Sequence, residues 1–344
     1  MSTEFKYTLT SEESKDVLNY LKKFENYSIL QDPHWNNIIN AHKKSCYYLK
    51  KDGNNNLIAF ALIIENYLEI NIPFGPLATE PEQIANAVID ITAYYQKKGK
   101  ASLIIQLGII SGQLSEEIEY SIFKKIPFKQ GIDISNWSTI VLNLQKDLKT
   151  IYDNFSQNHK RSLKKAQKEA LFVKNLITEE EIIQFAGIYD IMYKKRKLIK
   201  PFKDSFSVFK KIFNYIKNEE KGFFLGVYNS ESELLGGGCF TIQGDTAMYQ
   251  YGCSHTINNN LPVLHLAFYE AIKIATEKKL KYFDFCGYNQ LIGENDQVFE
   301  INRFKKGFGG NIVFYPKKIK FTLSKPKKFL FDISIFIYKH LRKQ

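Results

Sequence analysis

The chain has 344 residues, 44% of them hydrophobic and 24% charged, ordinary values that exclude wholesale disorder and a chain embedded entirely in a membrane. That length exceeds one ordinary core and suits two domains of roughly 150 residues each. The formal charge of +12 is uneven: from Pro316 onward nine lysines and arginines face one acid, Asp332, a balance of +8.

The N-terminal residues, Met1 to Lys15, are polar and mixed in charge, without the basic-then-apolar pattern of a secretory signal. A polar helix is predicted from Ser11 to Phe24, opened by a serine cap with acids in its first turn. A short helix follows Leu30-Gln-Asp-Pro-His-Trp35. Strand-like runs then cover Cys46 to Lys50, Leu57 to Ile64 and Tyr67 to Ile70. The separators Lys51-Asp-Gly-Asn-Asn-Asn56 and Glu65-Asn66 are turn chemistry, so this stretch reads as an antiparallel meander. Pro73, Gly75 and Pro76 end it. From Gln83 to Lys98 apolar residues recur at helical spacing (Ile84, Val88, Ile91, Tyr95), and Ala101 to Leu107 is a β-like run. Ser115 to Lys125 looks helical and Thr139 to Leu144 extended.

A second cycle starts near Leu148. A basic helix from Asp153 to Ala170 is followed by a short strand from Leu171 to Val173. Helices are then predicted from Glu179 to Lys197 and from Ser205 to Asn218. A second meander has strands from Gly222 to Tyr228, Leu234 to Ile242 and Thr246 to Cys253. A helix begins at Pro262, with proline in its first turn, and reaches Lys278. A strand from Lys281 to Phe285, a helix from Glu300 to Lys306 and a strand from Asn311 to Tyr315 complete the cycle. Each half thus holds a meander, a helix and a further strand, which suggests a duplicated α+β module.

The basic end of the chain suits an anionic membrane surface or a polyanionic substrate. The alternative is a final helix that packs its apolar face on the body and solvates its lysines. Phe329 to Tyr338 is the longest apolar-rich run; Asp332 and Ser334 interrupt it, and it falls short of the ~20 residues that span a bilayer. The expected location is the cytoplasm, with peripheral attachment to the inner face of the membrane as an option. Cys46, Cys239, Cys253 and Cys286 lie far apart with no CxxC pair, so free thiols are expected and no metal site is readable.

Several ordered segments carry a family resemblance. They are Arg161-Ser-Leu-Lys-Lys-Ala-Gln-Lys168, Tyr193-Lys-Lys-Arg196, Met248-Tyr-Gln-Tyr-Gly-Cys-Ser254 and the helix from Pro262 through Phe268 and Ala271. Last come Tyr282-Phe-Asp-Phe-Cys-Gly287 and Phe304-Lys-Lys-Gly-Phe-Gly309. From Asn158 to Gly310 the chain resembles the second domain of the FemAB-type peptidoglycan-bridge aminoacyltransferases. It equally resembles the related acetyltransferases that share their paired Gcn5-related N-acyltransferase (GNAT) architecture. Gln31-Asp-Pro-His-Trp35 and Ile72-Pro-Phe-Gly-Pro76 resemble the family's N-terminal markers, which extends the similarity over most of the chain. Two features depart from the pattern. No arginine- or glutamine-led glycine loop precedes a helix, since Gly236-Gly-Gly238 falls inside a strand pattern; and no long coiled-coil insertion separates the second-domain helices.

The resemblance implies an α+β protein of two tandem GNAT-like domains, with mixed sheets flanked by helices, and a basic C-terminal segment packing back on the first domain. The expected bounds are 1–147, 148–316 and 317–344. It further implies transfer of an acyl or aminoacyl group to an amine of a cell-envelope precursor, a peptidoglycan intermediate or a lipid- or sugar-linked amine. The donor would be an aminoacyl-tRNA or an acyl thioester on coenzyme A or a carrier protein. Such a transfer needs an unprotonated amine and a positive or hydrogen-bonding group at the developing oxyanion, and no covalent enzyme intermediate. A module that binds envelope precursors or RNA without chemistry stays open as an alternative.

Lys305 matches the family lysine placed to stabilise that charge; the other reading is a basic surface residue. Asp284, between aromatics at a strand end, either accepts the amine's proton or orients the amine, or else caps the following loop. Tyr249 and Tyr251 alternate with Met248 and Gln250 and are expected to share one face, lining an acceptor cleft or packing in the core. Arg161 and Arg196 offer forks for substrate phosphate or carboxylate, or else belong to solvated helical faces. Phe304 and Arg303, beside Lys305, complete the substrate-binding set. His34 and His265 are read as packed or hydrogen-bonded residues.

Overall fold

The computed structural model describes residues 1–24, 27–108, 130–133, 137–255, 261–289, 293, 297–316 and 318–341. The helix predicted from Ser115 to Lys125 lies outside them. Along the chain come β1 (Ser2–Lys6), α1 (Ser11–Leu21), a 3-10 turn (Ile29–Gln31), α2 (Pro33–Ile39), β2 (Lys44–Lys51), β3 (Leu57–Glu65), β4 (Glu69–Pro73) and β5 (Leu77–Ala78). Next are α3 (Pro81–Lys97), β6 (Ser102–Gln106), β7 (Gln130–Asp133), β8 (Trp137–Asn143), α4 (Leu148–Asp153), α5 (Gln157–Lys168), β9 (Phe172–Asn175), α6 (Glu179–Lys195) and α7 (Ser205–Glu219). The remainder is β10 (Gly222–Tyr228), β11 (Leu234–Gln243), β12 (Thr246–Ser254), α8 (Val263–Glu277), β13 (Tyr282–Asp284), β14 (Tyr288–Asn289), α9 (Gln297–Lys306), β15 (Asn311–Phe314), β16 (Lys318–Thr322) and α10 (Lys325–Leu341).

Two compact units result: Met1–Asn136 with Tyr315–Gln344, and Trp137–Phe314. The division falls at 136 and 137, earlier than the expected 147. The extended run near Thr139 is β8, and β8 pairs with β13, β14 and β15 of the second unit. Likewise β16 pairs with β6 and β7, so the end of the chain returns to the first unit.

Among the described residues each unit holds an eight-stranded mixed sheet. In the first the order is β1-β2-β3-β4-β6-β16-β7, with β5 beside β3; in the second it is β14-β8-β13-β12-β11-β10-β9, with β15 beside β8. The duplication is visible here. A meander (β2-β3-β4 or β10-β11-β12) leads through a helix (α3 or α8) to a parallel strand (β6 or β13). That strand is flanked by one from a distant part of the chain, β16 or β8.

Local chemistry sets these elements. Thr10, and not Ser11, caps α1: its hydroxyl accepts from Glu13 N at 3.2 Å while the Glu13 carboxylate accepts from Thr10 N at 2.9 Å, a reciprocal capping box. The basic helix expected from Asp153 is α5, which opens at Ser156, whose hydroxyl accepts from His159 N; Asp153 instead ends the separate short α4. In the turn after β2, Asp52 Oδ1 accepts from the N–H groups of Asn54 and Asn56, both at 2.8 Å. In the first unit the period-two alternation sorts β2 cleanly: Cys46 and Tyr48 pack with Val88, Ile91 and Tyr95 of α3. Tyr47 and Leu49 pack with Val17 and Leu21 of α1.

The glycines of β11 are demanded by the sheet. Gly237 has φ +158, and a Cβ there would lie 1.9 Å from the Leu225 carbonyl oxygen of β10. Their role is close strand approach, as the strand pattern around them implied.

Gln31 joins the two N-terminal markers. Wholly buried, it accepts from Leu62 N at 2.8 Å and donates to Leu62 O at 3.2 Å and Pro73 O at 2.6 Å. It also sits where any side chain on Gly75 would fall, 2.8 Å from an added Cβ. Replacing it removes three hydrogen bonds and strands buried backbone groups, so Gln31→Leu is expected to destabilise the chain by about 2–4 kcal/mol. Denaturant unfolding of the two proteins, followed by circular dichroism, checks this.

Candidate active site

The parallel pairing of β12 with β13 is brief: Thr246, Ala247 and Met248 face Tyr282, Phe283 and Asp284. Beyond Met248, β12 runs on to Ser254 while the chain leaves β13 and turns. The turn takes two consecutive residues into the left-handed region, Cys286 at φ 50° and Gly287 at φ 53°. For cysteine that conformation costs roughly 1–2 kcal/mol, so something must hold it.

Two buried charges do. Asp284, 3% exposed, accepts at Oδ1 from Cys286 N at 2.7 Å and from the hydroxyl of buried Thr139 on β8. Lys305, in the last turn of α9 and 7% exposed, donates from Nζ to the carbonyl oxygens of Cys286 and Gly287, the latter at 2.7 Å. The Cys286 residue therefore stands between them, its N–H held by the carboxylate and its C=O by the ammonium. Nζ also lies 5.8 Å from the centroid of the Tyr249 ring.

Burial dominates the titration of this group. It pushes the Asp284 carboxyl up, opposed by the bonds from Thr139 and Cys286 and by the Lys305 charge. It pulls the Lys305 ammonium down, opposed by the Cys286 and Asp284 charges. It also raises the Cys286 thiol well above its ordinary value, so the thiol is no ready nucleophile. An ammonium has three N–H groups. Among the described residues two have carbonyl acceptors and the third has none.

The expected common face for Tyr249 and Tyr251 is corrected. Phe240 faces Tyr249 and Cys239 faces Tyr251, with a shift of register between them. Neighbours along β11 point to opposite faces, so their partners do too; Gln250 is the extra residue of a bulge. Tyr249 packs on Phe268 of α8 with centroids 4.6 Å apart, next to Lys305. Tyr251 packs on Phe202 at 5.2 Å and Phe209 at 5.6 Å, on the face covered by α6 and α7.

Arg161 and Arg196 are exposed, on α5 and at the C-cap of α6, and neither joins the Lys305 group. Arg303 is exposed and pairs with Glu300 at 3.3 Å. Phe304 stands edge-on to Phe268 and His265, centroids 5.3 and 5.0 Å apart. Arg303 and Phe304 line a cavity of ≈ 410 Å³ together with Ser156, His159, His265 and Lys306.

His159 went unread in the sequence. Its Nε2–H donates to Phe304 O at 2.9 Å and its Nδ1 lies 3.0 Å from Ser156 Oγ. It thereby ties α5 to the residue before Lys305. Its ring fills the space above Gly307, where a Cβ would lie 2.1 Å from Cε1; the glycine two residues after Lys305 was the available signal. His265 is packed as expected, its ring 4.6 Å from that of His159. His34 lies 3.2 Å from the Ser14 hydroxyl. Among the described residues no cluster of His, Cys, Asp or Glu is placed to hold a metal ion.

No protein-family model and no curated protein matches the chain. Solved structures do. The crystal structure of FemX shares 13% identity at a TM-score of 0.78, over 96% of this chain and 99% of that one. L-PGS from Bacillus licheniformis shares 8% at a TM-score of 0.60, over 96% and 97%. A tandem GNAT protein from the clavulanic acid biosynthesis pathway shares 9% at 0.54, over 94% and 99%. The fold is a tandem GNAT fold. At these identities the likeness carries the fold alone, and the chemistry has to come from the GNAT unit's own residues. In this unit the turn and Lys305 sit where the parallel strands of the second GNAT sheet part.

The two histidines give the GNAT unit a pH dependence. Burial lowers the His265 imidazole to about 4, helped by its neighbour His159, which is itself lowered by burial. Their stabilising contribution is complete above the ordinary value near 6.5 and is lost as pH falls toward 4, because the unfolded chain takes up the protons first. For His265 this is about 2–3 kcal/mol between pH 7 and pH 4. Unfolding midpoints measured across that range are expected to fall, and His265→Phe to flatten the fall.

Proposed function

We propose that the chain transfers an aminoacyl or acyl group to an amine of a cell-envelope precursor, with Lys305 stabilising the oxyanion. The observation that carries this reading is a buried ammonium fixed by two carbonyls of the turn that follows β13, with one N–H that has no acceptor among the described residues. The FemX-like fold supports it, as do the Asp-Phe-x-Gly and Phe-Lys segments that supply the turn and the lysine. Attack of the neutral amine on the carbonyl forms the C–N bond, and the oxyanion is met by Lys305 in a site of low dielectric. Collapse breaks the C–O bond of an ester donor, or the C–S bond of a thioester, and the amine proton leaves with that oxygen or sulfur.

An aminoacyl-tRNA is the donor we favour. The residues leading into α8, His255-Thr-Ile-Asn-Asn-Asn-Leu-Pro262, contain no glycine, whereas the cradle for a coenzyme A pyrophosphate is glycine-rich. The acceptor is an amine on a peptidoglycan intermediate or another lipid- or sugar-linked precursor. Asp284 acts in this scheme as a positioning residue, since its Oδ1 holds the turn that Lys305 grips.

Transfer from charged tRNA to amine-bearing precursors, followed by mass spectrometry, tests the proposal. Lys305→Ala is expected to lower kcat/KM by about 10²–10³, while unfolding stays cooperative; unchanged transfer would remove Lys305 from the chemistry. Because burial lowers Lys305, the alkaline limb of the rate profile is expected below the ordinary lysine value of 10.5.

A further inference from the structure

We infer that α10 docks the protein flat on an anionic lipid bilayer. The helix is anchored at its start. Ile319 and Phe321 of β16 and Leu323 lie in the core of the first unit, and Lys327 Nζ donates to Gly99 O at 2.7 Å. Beyond that point three apolar side chains face outward: Phe329 is 68% exposed, Leu330 63% and Ile333 40%. At spacings of one and four residues these three share a helical stripe. Exposed apolar residues elsewhere, such as Tyr67 and Ile199, are isolated in sequence, as on any surface.

Charge selects the occupant. Lys325, Lys327 and Lys328 open the helix, its one acid, Asp332, is paired with Lys328, and the segment from Pro316 carries the balance of +8. A second copy of this face would bring the same positive charge against it and be repelled. An interface with anionic headgroups takes both features at once: lysines at the phosphates, phenyl and aliphatic groups in the acyl boundary. Among the described residues no helix is long and apolar enough to cross a membrane, which fits a helix lying on the surface.

Co-sedimentation of the full chain with vesicles tests this, and requires no turnover, so its outcome is separate from that of the transfer assay. One set of vesicles is phosphatidylcholine alone; the other is equimolar phosphatidylcholine and phosphatidylglycerol. The protein is expected to partition onto the anionic vesicles far more strongly than onto the neutral ones, and to release as salt is raised. The triple variant Phe329→Ser, Leu330→Ser, Ile333→Ser changes exposed positions only and should keep its circular dichroism spectrum. Its partition coefficient is expected to fall at least about a hundredfold, as three apolar side chains lose their burial. The inference is overturned if the unaltered chain stays in the supernatant with anionic vesicles, or if the triple variant binds as tightly. It is overturned equally if sedimentation velocity shows a dimer that the triple variant abolishes while vesicle binding is absent.

Discussion

A single residue, Cys286, held by two buried charges organises the second half of this protein. Cys286 takes a left-handed conformation that a side chain disfavours. Asp284 holds its N–H and Lys305 its C=O, and neither charge would be stable in that interior without such partners. Each half of the clamp justifies the other: the turn gives the ammonium acceptors, and the ammonium gives the turn its shape. The supports reach further out, through Thr139 on β8 and through His159, which grips the carbonyl of Phe304 next to Lys305.

In the proposed transfer the clamp divides two tasks between two side chains. An aspartate bonded at one oxygen to a backbone N–H and a hydroxyl is well placed to hold a loop and less well placed to move protons. Oxyanion stabilisation asks for something else, a fixed positive charge shielded from water. In the proposed transfer Lys305 is suited to that demand because burial and geometry fix it, although the same burial lowers its affinity for its proton. The opposite shifts of Asp284 and Lys305 are thus two results of one cause.

Much of this was legible in the residues, and the illegible parts share a physical character. The meanders were readable because their turns carry local chemistry, as at Asp52 to Asn56. The pair of segments ending at Gly287 and Gly309 was readable because it is compact in sequence. Cap choice was a near miss: Thr10 outbid Ser11 because Glu13 lies three residues on. The return of the C-terminal segment to the first unit follows the family resemblance, but nothing near Lys318 announces a strand between β6 and β7, and nothing near Trp137 announces that β8 belongs to the second sheet. The bulge at Gln250 also left no sign, and it put Tyr249 and Tyr251 on opposite faces. The fate of Asp284 depended on a threonine 145 residues upstream. Distance along the chain, and not weakness of the interactions, hid them.

In the proposed transfer Asp284 shapes the turn while Lys305 meets the oxyanion. The most direct measurement of this division is the pH dependence of transfer by Asp284→Asn, whose amide oxygen can still accept from Cys286 N–H and Thr139. The expected rate is within about tenfold of the unaltered protein, with both limbs of the profile retained. Loss of the acid limb with a fall of about 10²–10⁴, the size of general-base catalysis, would contradict that division.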